Sequence, residues 1–113
     1  MPSPDTVAVA AYPELQHLID IRDHDWEFHP VLDDNGITQI YGYRRWPDGW
    51  IDLLVIHHRT NTAAARSTYD GGLVWNRDGT LTDTIQHLTD LPTPDHPLAP
   101  RLVIARIPTL WTP

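Results

Sequence analysis

Histidine, arginine and aspartate side chains could do chemistry in this sequence, and several of them lie between residues 26 and 58. His57 and His58 are adjacent at the end of an apolar run, and His29 lies on the segment before it. Because side chains alternate faces along a strand, His57 and His58 cannot both bind one metal ion unless the strand bends. We therefore predict neither a metal site nor a catalytic pair from these histidines.

The motifs of the common enzyme classes are absent from the sequence. Its two serines, Ser3 and Ser67, lie outside any nucleophile elbow, and there is no phosphate-binding glycine loop, dinucleotide fingerprint or His-Glu-x-x-His helix. The absence of cysteine excludes disulfides, thiolate nucleophiles and cysteine zinc sites. General acids and bases can still assemble from distant positions, so an enzyme remains the alternative, but we predict no catalytic residues and no cofactor.

Two turns predict that residues 26–58 form a double hairpin with a shared middle strand. Asn35-Gly36 fits a two-residue loop, and Pro47-Asp48-Gly49 fits a three-residue loop with glycine in the left-handed conformation. The first loop predicts the pairs Asp34–Ile37, Val31–Ile40, His29–Gly42, Phe28–Tyr43 and Glu27–Arg44. The second loop predicts the pairs Trp46–Trp50, Arg44–Asp52, Tyr43–Leu53 and Tyr41–Val55.

These registers divide the side chains between two faces of the sheet. The predicted core face carries Trp26, Phe28, Leu32, Ile37, Tyr41, Tyr43, Ile51, Leu53 and Val55. The opposite face, which we call the mixed face, carries Glu27, His29, Val31, Ile40, Arg44, Trp46, Trp50, Asp52, Leu54, Ile56 and His58. The mixed face is too apolar for a solvated surface and too charged for a dry core, so we expect either a covering element or a partner on it.

The mixed face predicts a protein-binding surface if no part of the chain covers it. Tryptophan and arginine are enriched at binding hot spots, and apolar residues extend the patch. The predicted partner-binding residues are Arg44, Trp46, Trp50, Asp52, Leu54 and Ile56. The partner would be another protein or a second copy of the chain in a homodimer. The simpler interpretation is a surface charge ladder of Glu27, Arg44 and Asp52 beside a tryptophan pair that clamps the turn.

An alternative prediction from the same face is a small enzyme or a domain that binds an anionic ligand. Its site would be a cleft formed by His29, Arg44, Asp52 and His58, in which Arg44 holds the anionic group. Because this prediction requires the four side chains to converge, the geometry of the sheet decides between it and the interaction module.

The rest of the chain predicts two helices, further strands and a tail. A short amphipathic helix should begin at Pro13, and a second should run from about Leu81 to Asp90 after the capping residue Thr80. Strands are expected near residues 62–69 and 73–76, although the three alanines at 63–65 could also begin a helical turn. Residues 1–12 fit a short strand or a flexible arm, 92–100 form a proline-rich connector, and 101–113 form a docking tail.

We therefore predict a single α+β domain over residues 1–113. It contains an antiparallel meander sheet of four to five strands, an N-terminal helix, a second helix near residues 81–90 and a C-terminal strand or arm. There is no apolar run of membrane-spanning length, and the first residues lack the pattern of a signal peptide, so we expect a cytoplasmic protein.

The net charge of −7 argues against binding to nucleic acid, which requires clustered positive charge. Acidity would suit a regulatory protein or inhibitor that neutralises a basic target. The leading functional prediction is thus a small interaction or regulatory module without a cofactor, which binds a protein partner or itself.

Overall fold

The computed structural model describes residues 3–21 and 26–106. It contains α1 (Pro4–Ala11), a 3-10 turn (Pro13–Leu15), α2 (Gln16–Ile21), β1 (Trp26–Asp33), β2 (Gly36–Arg45), β3 (Ile51–His58), β4 (Asn61–Ser67), β5 (Gly72–Gly79), α3 (Leu81–Asp90) and β6 (Ala105–Arg106). The α+β class and the antiparallel meander are confirmed, and these two ranges contain six strands instead of the four or five predicted. No helix within the described ranges is both long and apolar enough to cross a membrane.

The N-terminal residues form helix α1, which the sequence pattern did not predict. Pro4 occupies the first turn, and the Ser3 hydroxyl accepts a hydrogen bond from the Thr6 backbone N–H at 3.2 Å. A serine cap followed by proline is a normal helix start, because it satisfies one free N–H and presets the backbone of the first turn. The predicted N-terminal helix follows as the 3-10 turn that begins at Pro13 and continues into α2.

Helix α3 spans the residues predicted for it. The Thr80 hydroxyl accepts from the Asp83 N–H at 3.2 Å, which caps the first turn. Leu81, Ile85 and Leu88 are buried, as expected for apolar residues at helical spacing.

The turn between β2 and β3 sets the register that the sequence predicted. The Trp46 N–H donates to the Trp50 carbonyl at 2.8 Å, and Gly49 adopts a positive φ of 89°. Arg44 consequently lies opposite Asp52, and Tyr41 lies opposite Val55.

The predicted register between β1 and β2 is wrong by one residue at the sheet centre. Asp33 pairs with Gly36, so the loop is Asp34-Asn35, and the glycine follows it with a φ of 110°. The Asp33 carboxylate accepts from the Asn35 N–H at 2.7 Å, which favours a turn that begins at Asp33. The earlier turn displaces the pairing by two residues, and an irregularity between Val31 and Leu32 reduces this displacement to one residue for the rest of β1. A displacement of one residue exchanges the two faces of a strand.

This shift moves Trp26 and Phe28 onto the face that carries Leu54. Phe28 lies opposite Gly42, not Tyr43. A Cβ atom at Gly42 would lie 2.8 Å from two carbons of the Phe28 ring, so the glycine provides the space that the ring occupies.

Helices α1, α2 and α3 all contribute buried residues to the main core, which lies on this face of the sheet. We call it the helix face. The main core consists of Ala8, Leu15, Leu18, Trp26, Phe28, Ile40, Leu54, Ile56, Ala64, Leu81, Ile85 and Leu88. In β2 and β3, the helix face corresponds to the predicted mixed face. The helices are therefore the element that covers the mixed face. The opposite face, which we call the far face, carries Glu27, His29, Tyr41, Tyr43, Arg45, Ile51, Leu53, Val55, Ala63 and Ala65.

The outer edge of β1 is closed by a side chain from α1. The Phe28 N–H, which points away from β2, donates to the Asp5 carboxylate at 2.9 Å. Two residues further along, Pro30 has no N–H at the next outward position, as is usual for proline on an edge strand. At the opposite edge of the sheet, the described part of β6 pairs with β5 at Gly72 and Leu73. Residues 107–113 of the predicted docking tail lie outside the described residues.

Candidate functional site

A row of large and charged side chains crosses the helix face. Paired positions place Trp26 beside Arg44, Arg44 beside Asp52, Asp52 beside Arg66, and Arg66 beside Trp75. The predicted row of Glu27, Arg44 and Asp52 was therefore wrong in its first member, because the register of β1 is shifted. The aspartate in this row forms its ion pair with an arginine on β4 that the sequence analysis did not select.

The ion pair between Arg66 and Asp52 is buried and bidentate. Arg66 Nε lies 2.6 Å from Asp52 Oδ1, and Nη2 lies 3.0 Å from Oδ2. Arg66 is 0% exposed and Asp52 is 2% exposed. Parallel N–H donors on a planar guanidinium match both carboxylate oxygens, which is the geometry that compensates best for removing two charges from water.

Trp46 and the connector after α3 complete the surroundings of this ion pair. The guanidinium carbon of Arg66 lies 5.4 Å from the centroid of the Trp46 ring, and that of Arg44 lies 3.9 Å from it. Arg66 Nη1 also donates to the carbonyl of Pro92. These contacts tie the connector to the sheet, so the charged row holds the fold together.

The six predicted partner-binding residues lie within or at the border of this covered region. Asp52, Leu54 and Ile56 are buried, while Arg44, Trp46 and Trp50 are half-buried. The first three contribute to the interior and do not form an accessible patch. The physical reason is that α1, α2 and α3 occupy the surface that the sequence analysis left for a partner.

The four residues of the alternative ligand site do not converge. His29 belongs to the far face, whereas Arg44 and Asp52 belong to the helix face. His58 is exposed at the end of β3, where its Nδ1 lies 3.0 Å from the Thr60 hydroxyl. The described ranges also contain no group of three or more side chains arranged to hold a metal ion.

A cluster on the far face surrounds the hydroxyl and ring of Tyr43. The Tyr43 hydroxyl donates to the Glu27 carboxylate at 2.5 Å, and this hydrogen bond is the main reason that the pKa of Tyr43 is raised. The His29 ring stacks on Tyr43 with centroids 5.2 Å apart, and the Arg45 guanidinium lies 5.0 Å from the tyrosine centroid. These contacts join β1 to β2 on the far face, where Glu27 and Tyr43 are cross-strand neighbours.

Three exposed apolar side chains lie on an extension of the first hairpin. Strand β3 pairs with β2 only from Ile40 onward, and residues 31–39 continue beyond that point as a two-stranded hairpin arm. Every residue from 31 to 38 is exposed. Val31, Leu32 and Ile37 have exposed fractions of 38%, 65% and 36%, respectively.

Sequence reasoning missed the hairpin arm because it assigned Leu32 and Ile37 to the core face. The difference in length between β2 and β3 would have indicated the arm. Ten residues of β2 exceed the eight of β3, so some of β2 has to extend past its neighbour.

Comparisons of the chain with protein-family models, with curated proteins and with solved structures gave no match.

Proposed function

We propose that this protein is a small interaction module that binds a protein partner through the hairpin arm. The observation that supports this proposal is the set of exposed apolar side chains on residues 31–39, at 36–65% exposure for Val31, Leu32 and Ile37. An isolated two-stranded ribbon has little stability in water, and contiguous exposed apolar residues mark interaction sites. Contact with a partner would bury these side chains and order the arm.

The shape of the arm suits insertion into a cleft. Three residues of β1 and four of β2 extend past the main sheet, which corresponds to roughly 10–13 Å at the usual rise of a strand. Apolar residues occupy both strands of the arm, since Leu32 lies opposite Ile37. A narrow ribbon with apolar side chains on both strands fits a cleft better than a flat surface.

The charges of the arm indicate the chemistry of the partner. Asp33 and Asp34 lie at the tip, and residues 31–39 contain no basic side chain. The chain as a whole carries a net charge of −7. Electrostatic complementarity favours a partner whose apolar cleft has a basic rim. Two copies that met tip to tip would bring like charges together, so the charge favours a different protein over a homodimer.

Site-specific photo-crosslinking in the source cell tests this proposal. A photoreactive amino acid replaces Leu32 in one variant and Thr82, an exposed residue of α3, in the control variant. The proposal expects a discrete adduct from position 32 that is absent from position 82. Adducts that are equal at both positions, or no adduct at position 32, would contradict it. An adduct of twice the chain mass, together with a dimer in light scattering, would show self-association instead.

A further inference from the structure

The tip of the hairpin arm carries Asn35-Gly36, the only Asn-Gly dipeptide of the sequence. The other two asparagines differ in their neighbours, since Asn61 precedes threonine and Asn76 precedes arginine. An asparagine reacts with its own backbone when the nitrogen of the next residue reaches the side-chain carbonyl carbon. Glycine favours this approach, because it has no Cβ to obstruct it and its backbone adopts more conformations than that of any other residue.

This reaction converts the asparagine amide into a carboxylic acid without an enzyme. The Gly36 nitrogen loses its proton and bonds to Cγ of Asn35, the bond from Cγ to Nδ2 breaks, and ammonia leaves behind a cyclic succinimide. Water then opens the ring. Attack of water at Cγ gives aspartate with the ordinary backbone, whereas attack at the main-chain carbonyl carbon gives isoaspartate, whose backbone runs through Cβ and Cγ. Water is the only co-reactant, and neither step is a redox reaction.

The folded arm leaves room for the ring to close. Asn35 and Gly36 are both exposed, and a Cβ atom added at Gly36 would meet no heavy atom within 4 Å. The Asp33 carboxylate accepts from the backbone N–H of Asn35, but the described residues include no hydrogen bond to the side-chain amide of Asn35. This amide can therefore rotate towards the Gly36 nitrogen without losing a contact.

A single strand pair restrains the attacking nitrogen. Gly36 pairs with Asp33 at the end of the arm, directly beside the loop. The arm lies beyond Ile40, where the pairing of β2 with β3 ends, so β3 does not support it. Two-stranded ribbons have little stability of their own, and an exposed backbone with few buried contacts opens locally at little cost in free energy. The Gly36 nitrogen therefore becomes free whenever the end of the ribbon opens.

The other two asparagines lie where the sheet holds the backbone. Asn61 begins β4, and the residue that follows it, Thr62, is buried and donates its hydroxyl hydrogen to the His58 carbonyl at 3.1 Å. Asn76 lies within β5, opposite Ala65 of β4. Ring closure at either position requires the following residue to leave its place in the sheet, which is far more costly than opening the end of the arm.

We propose that Asn35 is a site of spontaneous deamidation in the folded protein. The modified arm carries a third consecutive carboxylate beside Asp33 and Asp34, and the isoaspartate product lengthens the backbone of the two-residue loop. The tip of the arm thus becomes more acidic with the age of the molecule. This proposal does not depend on whether the arm binds a partner, because it rests on the chemistry and exposure of the loop alone.

Peptide mapping by mass spectrometry tests the proposal, because each conversion replaces an amide by a heavier acid. The full chain is incubated at mildly alkaline pH and physiological temperature, and is then digested at mildly acidic pH, which suppresses the reaction in the released peptides. Trypsin separates the three asparagines onto residues 23–44, 60–66 and 67–77. We expect the peptide of residues 23–44 to gain mass at least about tenfold faster than the other two, and to divide into aspartate and isoaspartate peaks.

Asn35→Gln is the matched control. Glutamine keeps the amide and the charge, but its longer side chain would have to form a larger ring, which closes much more slowly. The peptide of residues 23–44 also contains Gln39, so any mass gain that comes from that amide would persist in the variant. We expect the gain to disappear, and a gain of unchanged rate in Asn35→Gln would contradict the assignment to Asn35.

A parallel incubation in urea separates the effect of the fold from that of the dipeptide. In the unfolded chain, each asparagine reacts at the rate that its sequence neighbours allow. We expect the folded chain to react at Asn35 within about tenfold of the unfolded rate, while folding slows Asn61 and Asn76 much more strongly. The proposal is overturned if the folded chain leaves Asn35 unchanged, or if folding protects Asn35 as strongly as the other two asparagines.

Discussion

Replacement of Asp52 by alanine should destabilise the fold strongly, because it leaves the Arg66 guanidinium buried without its counterion. Arg66 is 0% exposed, and its bidentate contacts to Asp52 measure 2.6 and 3.0 Å. Breaking a buried pair in this way costs about 3–5 kcal/mol. With an unfolding entropy of about 2.1 cal/mol/K per residue, the melting temperature of a chain of this length should fall by roughly 13–21 °C.

The measurement is urea unfolding and thermal melting followed by circular dichroism. Asp34→Ala is the matched control, since Asp34 is exposed at the tip of the hairpin arm and should change the free energy of unfolding by less than about 0.5 kcal/mol. The double variant Asp52→Leu, Arg66→Met should recover much of the loss, because it removes both charges. A single variant as stable as the control would refute the buried ion pair, and with it the register that joins β3 to β4.

Three further changes test other parts of the structure. Gly42→Ala should cost about 1–3 kcal/mol in a urea titration, because the added methyl overlaps the Phe28 ring, and an unchanged midpoint would contradict that contact. Glu27→Gln should lower the pKa of Tyr43 towards its ordinary value, measured by ultraviolet titration as the difference from Tyr43→Phe. The hydrogen bond of the wild-type phenol stabilises the fold fully below about pH 10, and this stabilisation is lost as the pH rises through the raised pKa. Leu32→Ser should leave the melting temperature unchanged yet weaken a crosslinked partner's binding about 10- to 100-fold, whereas equal affinity would exclude the arm.

Local signals were sufficient to predict the elements that depend on neighbouring residues. Thr80 and the spacing of Leu81, Ile85 and Leu88 indicated α3, and the structure confirms its bounds. The loop ending in Gly49 indicated the register of β2 with β3, because a three-residue loop allows one pairing. Short-range geometry decides these features, so they can be predicted from the sequence.

The face assignment of β1 could not be predicted, because it depends on the irregularity between Val31 and Leu32, which no turn residue signals. Asp33, Asp34, Asn35 and Gly36 all tolerate turn conformations, and the hydrogen bond from the Asn35 N–H to Asp33 favours the earlier start. The earlier turn shifts the pairing by two residues, and the irregularity between Val31 and Leu32 reduces this shift to one, which places Phe28 on the helix face.

The helix cover was also missed, because α1 has a run of small residues without a strong helical period. Its burial of Ala8 becomes evident only in the folded chain. The candidate site therefore moved from the mixed face to the hairpin arm.

The hydrogen bond between Asp5 and Phe28 has a consequence for how the protein behaves at high concentration. An uncovered edge strand is a template on which another chain can add by main-chain hydrogen bonds, and repeated addition produces fibrils. The Asp5 carboxylate accepts the hydrogen bond from the Phe28 N–H, and Pro30 has no N–H to donate at the next outward position. Helix α1 therefore protects the edge of β1 from pairing with another chain. Proteolytic loss of the first eleven residues would expose this edge to strand addition.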